Sequence, residues 1–193
     1  MSKQASRTAT STIEPLHFRP VTRANWRDFE SLFEAPGAPK YCWCMVWRRS
    51  GEEAKHHHGP DRKAQMKARI DRGVPVGLLA YGGDTPVAWA SIAPRETYRT
   101  LGGPAARSGE TIWSLACFYV SRSHRRQGLS HQLIEASVDH ARENGATHVE
   151  AYPVDAAAPS YRFMGFVPVF AAAGSTEIGR AGTRRHVMRL KVG

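Results

Sequence analysis

Hydrophobic positions along this chain follow two periods, and segments of each kind alternate. The opening stretch, Met1 to Glu14, is rich in Ser and Thr, shows neither period and reads as a flexible arm. Leu16 and Phe18 then predict a short strand within Pro15 to Val21. Trp26, Phe29, Leu32 and Phe33 fall on one helical face, and Pro36 to Pro39 breaks that helix. Tyr41 to Trp47 crowds aromatic residues and cysteines together with no legible period. Gly51 to Pro60 is a polar loop holding His56, His57 and His58. A short helix from Asp61 carries Met66 and Ile70 to a stop at Gly73.

The β period is clearest next. Gly77 to Tyr81 and Pro86 to Ala93 are apolar runs joined by Gly82-Gly83-Asp84-Thr85, a hairpin turn. Arg95 to Glu110 is a loop. Ile112 to Val120 is apolar apart from Ser114 and predicts a central strand. Leu129, Leu133, Ile134, Val138 and Ala141 share one face of a helix over Gly128 to Asn144, which Gly145 ends. His148 to Tyr152 is another strand, broken by Pro153. Glu177 to Arg180 and Arg185 to Lys191 close the chain as two antiparallel strands. This order predicts one mixed α/β domain over 15–193, with no repeat and no linker.

Composition narrows the classes. With 193 residues and 41% hydrophobic positions the chain can bury one ordinary core. Three cysteines cannot make a disulfide framework. No run approaches the roughly 18 apolar residues of a membrane span, and no apolar signal segment opens the chain, so a cytoplasmic location is expected. The net charge of +10 is the unusual quantity. It favours anions as partners: nucleic acid, acidic membrane or a phosphate-bearing cofactor. No recognition-helix or RNA-binding motif accompanies it, so neither nucleic acid nor membrane is the expected partner.

The chemistry concentrates where the central strand meets the strongest helix. Ser121 to Gln127 is a basic loop, and Gly128 opens the helix. The first N–H groups of a helix lack internal partners and sit at the positive end of its dipole, so this is an anion site. Gly128 admits a phosphate close to the backbone, and Arg125 and Arg126 add charge. The bland alternative is an ordinary β–α turn with a solvated basic surface. There is no Walker A sequence and no G-x-G-x-x-G, which disfavours nucleotide hydrolysis and dinucleotide binding.

Arg125-x-x-Gly128-x-Ser130, behind a strand ending at Val120, resembles the acetyl-CoA pyrophosphate loop of the GNAT superfamily of N-acetyltransferases. The family pattern opens on Gln or Arg and closes on Gly or Ala, so Ser130 departs from it while keeping a small side chain. The order of elements from Leu16 to Val192 matches as well. Tyr41-Cys42-Trp43-Cys44, Trp47-Arg48 and the stretch Ala88 to Arg95 resemble a bacterial subgroup. The resemblance implies a mostly antiparallel central sheet with one splayed parallel pair and flanking helices. It also implies acetyl-CoA as co-substrate and no metal. Backbone groups of Phe118 and Val120 would pair with the pantetheine arm. Amides over Arg126, Gln127, Gly128, Leu129 and Ser130 would cradle the pyrophosphate.

The implied reaction is direct attack of a neutral primary amine on the thioester in a ternary complex. The acceptor would be a small molecule or another exposed amine. An amine with a pKa near 10 must lose a proton, and a phenol often protonates the departing thiolate. Two registers compete for that phenol. In one, Tyr161 precedes Gly165-Phe166; in the other, Phe170 precedes Gly174 and cannot donate a proton. The second leaves a normal spacing to the last strand. Glu150, mid-strand, is a candidate base, although Val149 and Ala151 beside it would let it face solvent. Glu96, Trp43 and Trp47 are candidate acceptor contacts, and the two tryptophans equally suit the core. Cys42-x-Cys44 with His56 to His58 lacks zinc spacing, and Cys117 reads as a small buried residue. A non-catalytic acyl-CoA-binding domain is the rival reading, and a homodimer is left open.

Overall fold

Seven strands form one mixed sheet in the computed structural model, which describes residues 15–193; the arm read over Met1 to Glu14 lies outside the described residues. In chain order the elements are β1 (His17–Pro20), α1 (Trp26–Glu34), α2 (Gly59–Asp71), β2 (Leu78–Gly82) and β3 (Thr85–Pro94). There follow β4 (Ile112–Val120), α3 (Leu129–Glu143), β5 (His148–Ala151), α4 (Val167–Ala172), β6 (Thr176–Ala181) and β7 (Arg185–Lys191). The strands lie in the order β1-β2-β3-β4-β5-β7-β6. Every neighbouring pair is antiparallel except β4 with β5, which is parallel. The mixed α/β class is as the alternation of periods predicts. The helix expected from Asp61 starts earlier, at Gly59, because Pro60 fits the first helical turn, where its missing N–H costs nothing. Among the described residues no helix is long and apolar enough to cross a membrane.

Helices cover both faces of the sheet, which explains why β2 and β3 read as continuous apolar runs instead of alternating ones. On one face Leu133 and Ile134 of α3 meet Leu78, Ala80, Ala88 and Ala90. On the other, Phe29 and Phe33 of α1 and Met66 and Ile70 of α2 meet Leu79, Tyr81 and Trp89. The period of two in β2 and β3 sends alternate residues to these two cores. Phe33 sits 5.3 Å from Trp89, edge on, and 5.4 Å from Trp43, stacked. Burying each such aromatic contributes about 2–3 kcal/mol.

Gly77, at the entry to β2, is fixed by contact. Its φ is +146°, and a Cβ there would lie 2.1 Å from the Ala90 carbonyl oxygen and 2.8 Å from Trp89 Nε1. Gly77→Ala should therefore destabilise the protein by about 3 kcal/mol or more, through backbone displacement and overpacking. Gly51→Ala, where a Cβ meets nothing within 4 Å, should change stability by less than about 0.5 kcal/mol. Urea unfolding of both variants checks the contrast; equal effects would contradict it.

Candidate active site

The site is built where β4 parts from β5. Their parallel register runs only from Ile112 with His148 to Leu115 with Ala151. On its other side β4 carries an extra residue against β3: Ala90 opposes Phe118, but Ile92 opposes Leu115. Such a bulge bends its strand and strengthens the twist. Beyond Ala151 the chain turns away through Pro153, and Val154 bridges to Phe166 and Arg185 instead of to β4.

The upper half of β4 therefore has one open side, and the ladder shows which groups face it. Ser121 N–H donates to the Val87 carbonyl at 2.9 Å, so that pair is hydrogen-bonded. Antiparallel pairs alternate, so Tyr119 aims its backbone at β3, while Phe118 and Val120 aim theirs at the open side. A groove of about 120 Å³ lies there, lined by Phe118, Val120, Ser130, Phe163, Phe166 and Phe170 among others. Gly165 makes the room for it. A Cβ at Gly165, whose φ is +87°, would come within 2.8 Å of the Phe170 ring and 3.3 Å of the Phe118 ring. The residue that ends α4 is Gly174, after the cap at Ala173. Of the two registers, the one closing on Gly174 is thus the one that ends the last helix.

At the top of the groove the loop into α3 is pinned by its own side chains. Ser121 Oγ and His124 Nδ1 are 2.8 Å apart, Gln127 Nε2 donates to the Ser123 carbonyl at 3.0 Å, and Arg125 Nε donates to the Val120 carbonyl at 3.1 Å. Arg126 and Gly128 both have left-handed backbone, with φ of 61° and 76°. For Arg126 that conformation costs about 1–2 kcal/mol. Gly128 takes the N-cap position, and no side chain caps the helix. The first amides of α3 are left for an external anion. A Cβ at Gly128 would meet nothing within 4 Å, so the space above it is open. Leu129 is buried and anchors the helix end, while Ser130 faces the groove.

The predicted side chains scatter more widely. Glu150 is fully buried and does not face solvent, because β5 is covered on both faces. Its Oε1 accepts from Arg189 at 2.7 Å, and its Oε2 accepts from Tyr152 at 3.0 Å and pairs with Arg95 at 3.3 Å. Tyr152, donating to Glu150, accepts from Ser114, 3.0 Å away. Burial and the Glu150 carboxylate push the Tyr152 phenol well up. Trp47 and Tyr161 do come together, with ring centroids 6.3 Å apart and the Arg185 guanidinium 4.4 Å and 5.4 Å from them. Trp47 Nε1 is a buried donor without a partner among the described residues. Trp43 is 2% exposed and belongs to the core under α1, not to the groove. Glu96 lies beside the end of β3 that pairs with Trp113, at the far end of β4 from the groove. A larger open concavity, of about 1040 Å³ around Trp113 and His140, is also at that far end. Among the described residues, no three His, Cys, Asp or Glu side chains are grouped to hold a metal ion.

Sequence reasoning missed Arg95, Arg189, Tyr152 and Ser114 as one network. The only available signal was that charged residues recur on strands flanked by apolar ones. It also missed Arg48, 3% exposed, which donates to the Val76 carbonyl at 2.8 Å and to Ser91 Oγ at 2.9 Å.

A split parallel pair beneath an uncapped helix N-terminus thus sets an open strand edge beside a helix end with free amides. The sequence profile of the acetyltransferase (GNAT) family matches residues 21–166, and the chain belongs to that family. Solved structures agree in fold. The chain is similar to yncA of Salmonella typhimurium, solved with its cofactor acetyl-CoA, at 17% identity and TM-score 0.55, covering 93% of this chain and 95% of that one. It is similar to an acetyltransferase of Thermus thermophilus at 16% identity and TM-score 0.55, over 93% and 98%. An uncharacterized protein of Bacillus halodurans aligns at 13% identity and TM-score 0.60, over 91% and 83%. No curated protein matches the sequence.

Glu150→Gln removes the charge that two guanidiniums face while keeping the shape. Breaking a buried ion pair from one side costs about 3–5 kcal/mol. Urea unfolding should show a loss of about 3 kcal/mol, and a change under about 1 kcal/mol would mean the network is not needed.

Proposed function

We propose that this chain transfers the acetyl group of acetyl-CoA to a primary amine of a small molecule, by direct attack in a ternary complex. The observation that carries the reading is the open side of β4, where the Phe118 and Val120 backbone groups lie below the uncapped α3 end. In this reading those groups hold the pantetheine arm as an added strand would. The amides from Arg126 to Ser130 take the pyrophosphate, with charge from Arg125 and Arg126. The thioester supplies the acetyl group.

The acceptor lies on the opposite face from α3, beside Trp47 and Tyr161. The unpartnered Trp47 N–H offers a donor to an acceptor oxygen, since a buried donor left unpaired costs about 1–3 kcal/mol. Tyr161 is the candidate acid for the departing thiolate. Glu150, whose two oxygens are already engaged, holds the floor of the split, and the amine proton leaves to solvent. Phe170 in the phenol position favours a second reading, an acyl-CoA-binding domain without turnover.

Two measurements separate these readings. Saturating acetyl-CoA at 100 times its Kd should add about 2.7 kcal/mol, a melting shift of roughly 5–11 °C, and ATP should not reproduce it. Gly128→Ala should weaken binding at least tenfold, because a Cβ enters the phosphate space. Release of CoA thiol with a panel of primary amines then decides turnover. No melting shift would remove the acetyl-CoA reading, whereas a shift with no amine turned over would leave the binding domain.

A further inference from the structure

The segment from Tyr41 to Val46 has no part in the reading above, yet its backbone is unusual among the described residues. Trp43 and Cys44 are consecutive non-glycine residues with left-handed φ, 47° and 49°. Each such residue costs about 1–2 kcal/mol, and strain of this kind collects at functional positions. The turn is held by Cys42 and Trp43 N–H donating to the Pro39 carbonyl at 2.8 and 3.3 Å, and by the burial of Trp43.

The turn brings three thiols together. Cys44 Sγ lies 3.1 Å from Cys117 Sγ, although 73 residues separate them in sequence. Cys42, Cys44 and Cys117 line one small cavity with Tyr98, Ala116 and Phe163. Its volume is about 10 Å³, room for about one water-sized molecule. The three thiols differ in character. The Cys44 thiol and the backbone N–H groups of Cys44 and Val46 turn toward the Cys42 sulfur, Arg62 adds charge, and together they outweigh burial and hold the Cys42 thiol at about 6. Cys44 is fully buried, and burial with its two thiol neighbours pushes it well above the ordinary range. Cys42 is half-buried and all three are free. The Arg48 charge acts on Cys44 and Cys117, and the Arg62 charge acts on Cys42, so the surroundings are electropositive. A partly exposed thiolate in an electropositive pocket is what a reactive cysteine requires.

We propose that Cys42, Cys44 and Cys117 form a thiol relay that reacts with hydroperoxides and ends as a Cys44–Cys117 disulfide. The Cys42 thiolate attacks hydrogen peroxide, breaks its O–O bond and releases hydroxide, leaving a sulfenic acid. The Cys44 thiol displaces that hydroxyl as water and forms a Cys42–Cys44 disulfide. Cys117 then gives its proton to the hydroxide released in the first step, attacks the Cys44 sulfur and returns Cys42 as thiolate. Two thiols and one peroxide thus yield one disulfide and two waters. The last exchange relieves the tight ring of a bridge between residues two apart and needs the Cys44 and Cys117 sulfurs to close from 3.1 Å to about 2.05 Å. Cys117 sits at the β4 bulge, between Leu115 and Phe118. The product therefore ties the strained turn to the strand that carries the groove. Nothing in this chemistry depends on acetyl transfer.

The test treats the reduced full-length protein with hydrogen peroxide at pH 6, alkylates the remaining thiols and maps the peptides. The wild type should lose two alkylatable thiols and yield a Cys44–Cys117 cross-linked peptide. At that pH Cys42, held below the ordinary thiol range, carries far more thiolate than an ordinary thiol, and it should react several-fold faster than glutathione. Cys42→Ser should lose that advantage, and Cys117→Ala should stop at a Cys42–Cys44 bridge or a sulfenic acid that dimedone traps. Oxidation of Cys42→Ser at the wild-type rate, a wild-type rate no greater than that of glutathione, or Cys42 oxidised with no cross-link would each overturn the proposal. The rate comparison on the wild type stands even if a variant fails to fold.

Discussion

The structure depends on one strand that cannot be paired along its whole length on both sides. β4 keeps β3 throughout, but a bulge between Leu115 and Phe118 bends it, and its parallel partner ends at Ala151. Inside the sheet, the amides of Phe118 and Val120 and the Phe118 carbonyl are left facing a groove, while the Val120 carbonyl takes the Arg125 side chain. Unpaired backbone groups inside a protein are costly unless something meets them. An extended ligand with its own amides satisfies them at the least rearrangement. The left-handed turns at Arg126 and Gly128 extend the same logic to the helix end, where backbone donors are aimed outward and no side chain takes them.

The floor of the split is held by charge. Glu150 engages Arg189 and Arg95 on either side of β5 and receives Tyr152, so the register of β4, β5 and β7 and the start of the loop after β3 share one buried carboxylate. Such pairs add little net stability compared with apolar packing, but removing one partner is costly. Their effect here is to fix where the strands part. Apolar contacts alone would tolerate a slip of β5 along β4, and a one-residue slip would turn Glu150 toward the α3 core. Arg48 holds the other wall through neutral groups, joining the Val76 carbonyl, Ser91 and Tyr98.

Much of this was legible because it repeats locally. The runs over Gly77 to Tyr81 and Ile112 to Val120, the amphipathic face from Leu129 to Ala141, and the basic loop closed by Gly128 all announce themselves within a few residues. The long-range features did not. Val149 and Ala151 flank Glu150 in a pattern that suits a surface strand equally well, and only the helices and loops covering both faces make it buried. Trp43 belongs to the core because α1 places Phe33 over it, which no local pattern states. Gly165 offered one of two registers, and what fixes it as glycine, φ of +87° with no room for a Cβ beside the Phe118 and Phe170 rings, is set by distant partners. Tyr41 to Trp47 had no period because its conformation is a strained turn held by distant partners. Glu96 followed a strand end, but that end of the antiparallel β3 lies opposite the groove.

The central claim is that the open side of β4 is where the cofactor arm binds. Amide hydrogen exchange read residue by residue, with and without acetyl-CoA, tests it most directly. The account predicts added protection at the Phe118 and Val120 amides and over Arg126 to Ser130, and no change at Tyr119, whose backbone already pairs with β3. Protection absent from Phe118 and Val120 while the protein is saturated, or spread evenly along β4, would contradict it.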